Sequence, residues 1–169
     1  PVHCVSKTVT EDKVSGYKFV TGYKYHHGYY DHTEREFRGF GMVEQTDTEF
    51  FEHWKREGAA NVTEARLHQE PVITKTWYHT GAFSKDGTIL NQFEADYWYA
   101  ELKKLGTVYT HREKNLPDTR LVAASGIDVS ALGHLKLSEW HEAMRACKGM
   151  ILKSEVFAKD AATFGNTEA

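Results

Sequence analysis

The sequence predicts a mainly β fold with a few short helices, α+β by content, and three observations carry that prediction. Nine Tyr, nine Phe and four Trp favour pleated faces, where aromatic rings pack best. Residues 2–46 read as strands broken by Gly, Asp and His turn chemistry. Residues 150–157 alternate apolar and polar side chains, the period of a strand.

In chain order, Val2, Cys4 and Thr8-Val9-Thr10 suggest a first strand. Tyr17-Lys18-Phe19-Val20 opens a second, in which Tyr23 and Tyr25 alternate with Gly22 and Lys24. His27-Gly28 and Asp31-His32-Thr33 are read as turns. Phe37, Phe40, Met42 and Val43 break the period of two, which places a bulge or bend at Gly39. A mixed segment, 47–134, follows. Thr48 to Arg56 fits a short helix, Val72 to Tyr78 a strand ending at His79-Thr80-Gly81, and Phe93 to Leu105 a helix closed by Gly106. Gly106 to Thr119, with Pro117, reads as loop. In the last segment, 135–158, Ser138 is placed to cap a helix. Its Trp140, Ala143, Met144 and Cys147 fall at i, i+3, i+4 and i+7, Gly149 ends it, and a strand follows.

Size and charge exclude several classes. A chain of 169 residues is the size of one domain and can bury roughly 70% of the surface it exposes unfolded. The net charge of −3 offers no basic patch for nucleic acid or anionic lipid. No apolar run approaches the ~20 residues of a membrane-spanning helix. Cys4 and Cys147, far apart in sequence, are expected to be free thiols. The chain starts at Pro1 and ends on Gly165-Asn166-Thr167-Glu168-Ala169, so both ends read as cut from something longer.

Motifs for chemistry are weak. Ser84, Ser125, Ser130 and Ser154 lack a nucleophile-elbow context, and Cys147 lies on the apolar side of its helix. Glu34 with Glu36, beside Arg35 and Arg38, is the pattern of a solvated charge ladder, and Glu94 with Asp96 is a similar pair. Gly39-Phe40-Gly41 lacks the Lys-Ser/Thr of a phosphate loop. His26, His27 and His32 form the densest group of possible ligands, but adjacent strand residues point to opposite faces, and the spacing is not that of a zinc site. The residues therefore point to no catalytic, cofactor-binding or metal site.

Ordered blocks carry a family resemblance instead. Tyr23-Lys24-Tyr25-His26-His27-Gly28-Tyr29-Tyr30-Asp31, followed by Glu34-Arg35-Glu36-Phe37-Arg38-Gly39-Phe40-Gly41-Met42-Val43, resembles a signature of the middle region of Tc insecticidal toxin B components and their SpvB-like relatives. Asp47-Thr48-Glu49, Thr74-Lys75-Thr76-Trp77-Tyr78-His79-Thr80-Gly81-Ala82, Leu116-Pro117-Asp118-Thr119 and the run Glu142 to Phe157 resemble further blocks in the same order. Cys147 and Phe157 stand where the family has Leu and Tyr, and the stretch from Asn91 to Asn115 matches nothing.

The resemblance implies a fragment of an Rhs/YD-type shell of twisted antiparallel strands that encloses a cytotoxic domain. It implies as partners the rest of its own chain, a C component and a pore-forming A component, and a secreted setting without direct membrane insertion. The structural motif would be Tyr25, His26, His27, Gly28, Tyr30, Asp31, Glu34, Arg35, Glu36, Phe37, Arg38, Gly39, Phe40, Gly41, Trp77, Tyr78, His79 and Gly81. Tyr25, Tyr30, Phe37, Phe40, Trp77 and Tyr78 would supply packing, and Gly28, Gly39 and Gly41 the bends. Arg35 and Arg38 would pair with Glu34, Glu36 or acidic residues of adjacent strands. Two other readings stay open: a free-standing partner-binding module, and a metal-dependent hydrolase built on His26, His27 and His32.

Overall fold

A computed structural model describes residues 2–14, 18–47, 71–83, 93, 96–97 and 135–158. The helix expected at 48–56, most of that at 93–105 and the loop at 106–119 lie outside these residues. Five strands form one sheet in the order β1-β2-β3-β4-β5: β1 (Lys7–Glu11), β2 (Lys18–Asp31), β3 (Glu36–Asp47), β4 (Val72–Tyr78) and β5 (Ile151–Ala158). Among the described residues a helix, α1 (Leu137–Ala146), precedes β5. The mainly β prediction therefore holds. Aromatic and β-branched residues make these strands, and the turn at 32–35 separates β2 from β3.

The chain divides into two compact units, 1–27 with 42–77 and 153–169, and 28–41 with 78–152. In the first, β1 pairs antiparallel with β2, Val9 opposite Val20, and β3 with β4, Met42 opposite Trp77. Trp77 is wholly buried, with Val20, Met42 and Ile73 nearly so. Ile73 and Trp77 are four apart on β4, so they share a face with Met42, and a period of two is enough to build this core. The ladder continues past β1, where the Tyr23 N–H donates to the Ser6 carbonyl at 2.8 Å and the Tyr25 hydroxyl to the Val5 carbonyl at 2.9 Å. The Lys75 ammonium sits 5.4 Å from the centre of the Phe157 ring, covering an aromatic face with a cation.

In the second unit Asp31, Arg38, His79, Thr80, Phe93, Tyr97 and Met144 are buried. The Phe37 and Phe40 rings meet edge to face, 5.2 Å apart. Helix α1 buries Met144, with Trp140, Ala143 and Cys147 half-buried, so the expected apolar stripe is present. The backbone N–H of Lys136 donates to Glu139 Oε2 at 2.6 Å, and Gly149 ends the segment at φ +85°. Both Cys4 and Cys147 are free.

Four expectations need correction. His27-Gly28 is not a turn: β2 runs through it, and a left-handed His27 at φ +56° takes up the irregularity within the strand. The reversal comes at 32–35, where Arg35 has φ +55°. The helix begins before Ser138, capped at Lys136, because Glu139 already satisfies a first-turn donor. Tyr30 is 46% exposed and does not pack a core; its ring meets His32 at 5.2 Å. Among the three expected bends only Gly39 has left-handed backbone, φ +101°. Gly28 serves clearance instead, since a Cβ there would lie 3.3 Å from the Phe37 ring.

Two substitutions separate these roles. Trp77→Ala should lower the free energy of unfolding by about 3–5 kcal/mol, the usual cost of emptying a buried aromatic site. Gly39→Val should cost about 1–3 kcal/mol through backbone strain alone, since nothing lies within 4 Å of the added Cβ. Urea unfolding measures both, and a Gly39→Val protein as stable as the parent would show that the left-handed backbone is not required.

Candidate functional site: a charge junction around Arg38

Several of the motif residues converge on one buried cation. Alternation along β3 sends Arg38 inward, and its side chain has no solvent exposure. Its Nη2 lies 2.7 Å from Asp31 Oδ2, its Nη1 donates to the Gly81 carbonyl at 3.0 Å, and its Nε is 3.8 Å from Glu36. The ladder of Glu34, Arg35, Glu36 and Arg38 is therefore not a uniformly solvated face. Arg38 is buried because Asp31, at the end of β2, comes to meet it, while Glu34 and Arg35 stay exposed in the turn. The expected pairing of an arginine with an acidic residue of an adjacent strand holds for Arg38.

Asp31 does two jobs. Its Oδ1 accepts the backbone N–H of Thr33 at 2.9 Å and of Glu34 at 3.1 Å, which folds the turn after β2. Its Oδ2 faces Arg38. The Glu34 N–H above all, then the Thr33 N–H and the charges of Arg38 and His141, hold its carboxyl below the ordinary 3.8 against the opposing effect of burial. Glu36 is likewise held below its ordinary 4.5, chiefly by the hydrogen bond from Lys148, then by the charges of Lys148, Arg145 and Arg38, against partial desolvation.

The segment after β4 supplies the other wall. The His79 N–H donates to the Met150 carbonyl at 2.9 Å, and the Gly149 N–H to the His79 carbonyl at 2.8 Å. His79 Nδ1 accepts the Gly81 N–H at 2.9 Å, so the imidazole presents a lone pair there and curls His79-Thr80-Gly81 around itself. That aims the Gly81 carbonyl at Arg38. Gly81 has φ +74°, and a Cβ would meet Arg38 Nη1 at 3.2 Å and the Arg145 backbone at 3.3 Å.

Helix α1 and the turn after it bring residues that the sequence reading did not assign to this cluster. Lys148 Nζ binds Glu36 at 3.1 Å, and Arg145 lies 3.9 Å from Glu34, 4.0 Å from Glu36 and 3.5 Å from Glu142. His141 Nε2 is 3.7 Å from Asp31 Oδ2. His141, Arg145 and Lys148 stand at i, i+4 and i+7, one helical face beside the apolar stripe, and that spacing was the available signal. These outer pairs are partly solvated, so each contributes little by itself.

What this arrangement does chemically is crosslink. An ionised, guanidinium-covered carboxylate is a poor proton carrier at neutral pH. Of the remaining motif residues, Trp77 lies in the core of the first unit, and Tyr25, His26 and His27 also belong to that unit. The His26 and His27 rings are 6.4 Å apart. Among the described residues the group of three possible metal ligands that converges is Glu34, His141 and Glu142, which contains none of His26, His27 and His32.

Residues 1–81 match the family described as insecticide toxin TcdB middle/N-terminal region, as the ordered motifs imply. The crystal structure of TcdB2-TccC3-Cdc42 is similar at 26% identity with a TM-score of 0.56, covering 96% of this chain and 7% of that one. TcdB2-TccC3 without its hypervariable C-terminal region is similar at 28% identity with a TM-score of 0.55, covering 96% and 6%. This chain thus spans a small part of the length of those structures. No curated protein matches it.

Two outcomes follow for the junction. Asp31 and Glu36 have folded pKa values below their unfolded ones, so their stabilisation is full above the unfolded values, 3.8 and 4.5. It is lost as pH falls through and below about 4. Asp31→Asn should flatten that acid limb in a pH series of thermal melts, whereas an unchanged limb would place the acid sensitivity elsewhere. Gly81→Ala should destabilise by more than about 1 kcal/mol in urea unfolding, through strain at positive φ.

Proposed function

Taking residues 1–81 as a TcdB-type middle/N-terminal region, we propose that the chain is a structural piece of a toxin-complex B component. It contributes to a shell that encloses and helps deliver a cytotoxic domain, and it performs no catalysis of its own. Its partners are the rest of the toxin chain, a C component and a pore-forming A component, and the complex acts outside the producing cell. Among the described residues no helix is long and apolar enough to cross a membrane.

The observation that carries this reading is the combination of an ordered-motif sheet with outer strands that keep apolar side chains in solvent. Val9 on β1 is 56% exposed, and Ile151 and Val156 on β5 are 65% and 66% exposed. Outer strands of this kind are ordinarily covered, paired or charged, and a shell wall continuing on either side would cover them. A charge junction that fixes a β turn without presenting reactive groups suits a wall.

The same exposed residues would serve a free-standing partner-binding module, and one experiment separates the two. Ile151→Asp with Val156→Asp should leave the melting temperature of the 169-residue chain within a few degrees, as surface changes do. In a longer B-component chain carrying this segment, the pair should abolish co-purification of the C component and expose the enclosed domain to protease. Normal retention and protection would overturn the shell reading. Binding of the C component by the isolated chain, lost in the double variant, would favour the module.

A further inference from the structure

We propose that Glu34, His141 and Glu142 form a binding site for a first-row divalent cation of the zinc type. One ligand atom from each of the three lies within 4.8 Å of the others. Glu34 comes from the turn that Asp31 folds, and the other two are consecutive on α1, so the ion would tie that turn to the helix. Donors about 2.0–2.2 Å from a common ion stand closer together than this, and small rotations of two exposed glutamates supply the difference. An imidazole nitrogen with two carboxylate oxygens suits zinc better than magnesium or calcium, which prefer oxygen throughout. Three protein ligands leave a fourth position for water.

A second observation points the same way. The Asp31 carboxylate, with its side chain 4% exposed, faces His141 Nε2 at 3.7 Å. A carboxylate near the imidazole is the usual companion of a metal-bound histidine, and Asp31, whose Oδ2 also lies 2.7 Å from Arg38, brings a negative charge close to this ring. The Phe83 ring flanks the same imidazole edge to face at 6.3 Å. Thus the imidazole is flanked by a buried negative charge and an aromatic ring, while each glutamate is engaged by Arg145 alone among its neighbours in this cluster.

Arg145 is the competitor. Its Nη1 is 3.5 Å from Glu142 and 3.9 Å from Glu34, which places a positive charge beside both carboxylates. All three side chains are substantially exposed, so the contact is weak and an ion can displace the guanidinium. Removing Arg145 should therefore strengthen cation binding, an effect that a purely structural ion pair would not produce.

The test is calorimetric titration of the 169-residue chain with zinc chloride, with far-ultraviolet circular dichroism to verify folding of each variant. One equivalent should bind, with affinity reduced about tenfold or more in His141→Ala, reduced in Glu34→Gln and increased in Arg145→Gln. Glu34→Gln, in an exposed turn, keeps the test decisive should His141→Ala fail to fold. Absence of binding would overturn the proposal. So would binding unaffected by His141→Ala and Glu34→Gln, which would place the ion on other histidines of the chain.

Discussion

Removing a guanidinium from water is so costly that its surroundings must be built to receive it. Arg38 has three partners in contact or near it: the Asp31 carboxylate, the Gly81 carbonyl and, further off, Glu36. Each is itself held in place by something else. Asp31 is fixed by the turn amides it accepts, Gly81 by His79 Nδ1, and Glu36 by Lys148. Reading outward from Arg38 therefore recovers the turn after β2, the end of β4 and the exit from α1. A buried pair of this kind contributes uncertain net stability against an apolar replacement. What it does supply is a penalty for any other register, because a displaced strand would leave a charge buried without its counterion.

The division of labour between the two units follows from side-chain chemistry. In the first, Val20, Met42, Ile73 and Trp77 make an apolar core from strand alternation, so its stability should respond to volume changes. In the second, buried apolar residues share the interior with Asp31, Arg38, His79 and Thr80, so its stability should respond to charge and pH as well.

Much of this was legible in the sequence where a single element decides the outcome. Val72 to Tyr78, the strand from Met150, the stripe through Trp140 and Met144, and the irregularity at Gly39 all follow local periodicity. What was not legible depends on contacts across long separations. Arg38 looks like one rung of a charge ladder until Asp31 and Gly81 are seen around it, and no local rule distinguishes it from Arg35. His27-Gly28 carries turn chemistry, yet pairing along β2 overrides it and confines the effect to one left-handed residue. Tyr30 looked like a packing residue, although alternation alone does not say which face of a strand is covered. The roles of His141, Arg145 and Lys148 required knowing which way α1 faces; their helical spacing gave a face but not its neighbour.

The most direct measurement of the central claim is a double-mutant cycle on Asp31→Asn and Arg38→Met, followed by urea unfolding at neutral pH. If the pair fixes the turn, Arg38→Met alone should cost about 3–5 kcal/mol by leaving a buried charge uncompensated. The double variant should then be much less destabilised than the sum of the two single ones, well beyond the ~0.3–0.5 kcal/mol scatter of independent sites. Additive effects of the two substitutions would contradict the account, showing that Asp31 and Arg38 act separately and that the junction does not organise the structure.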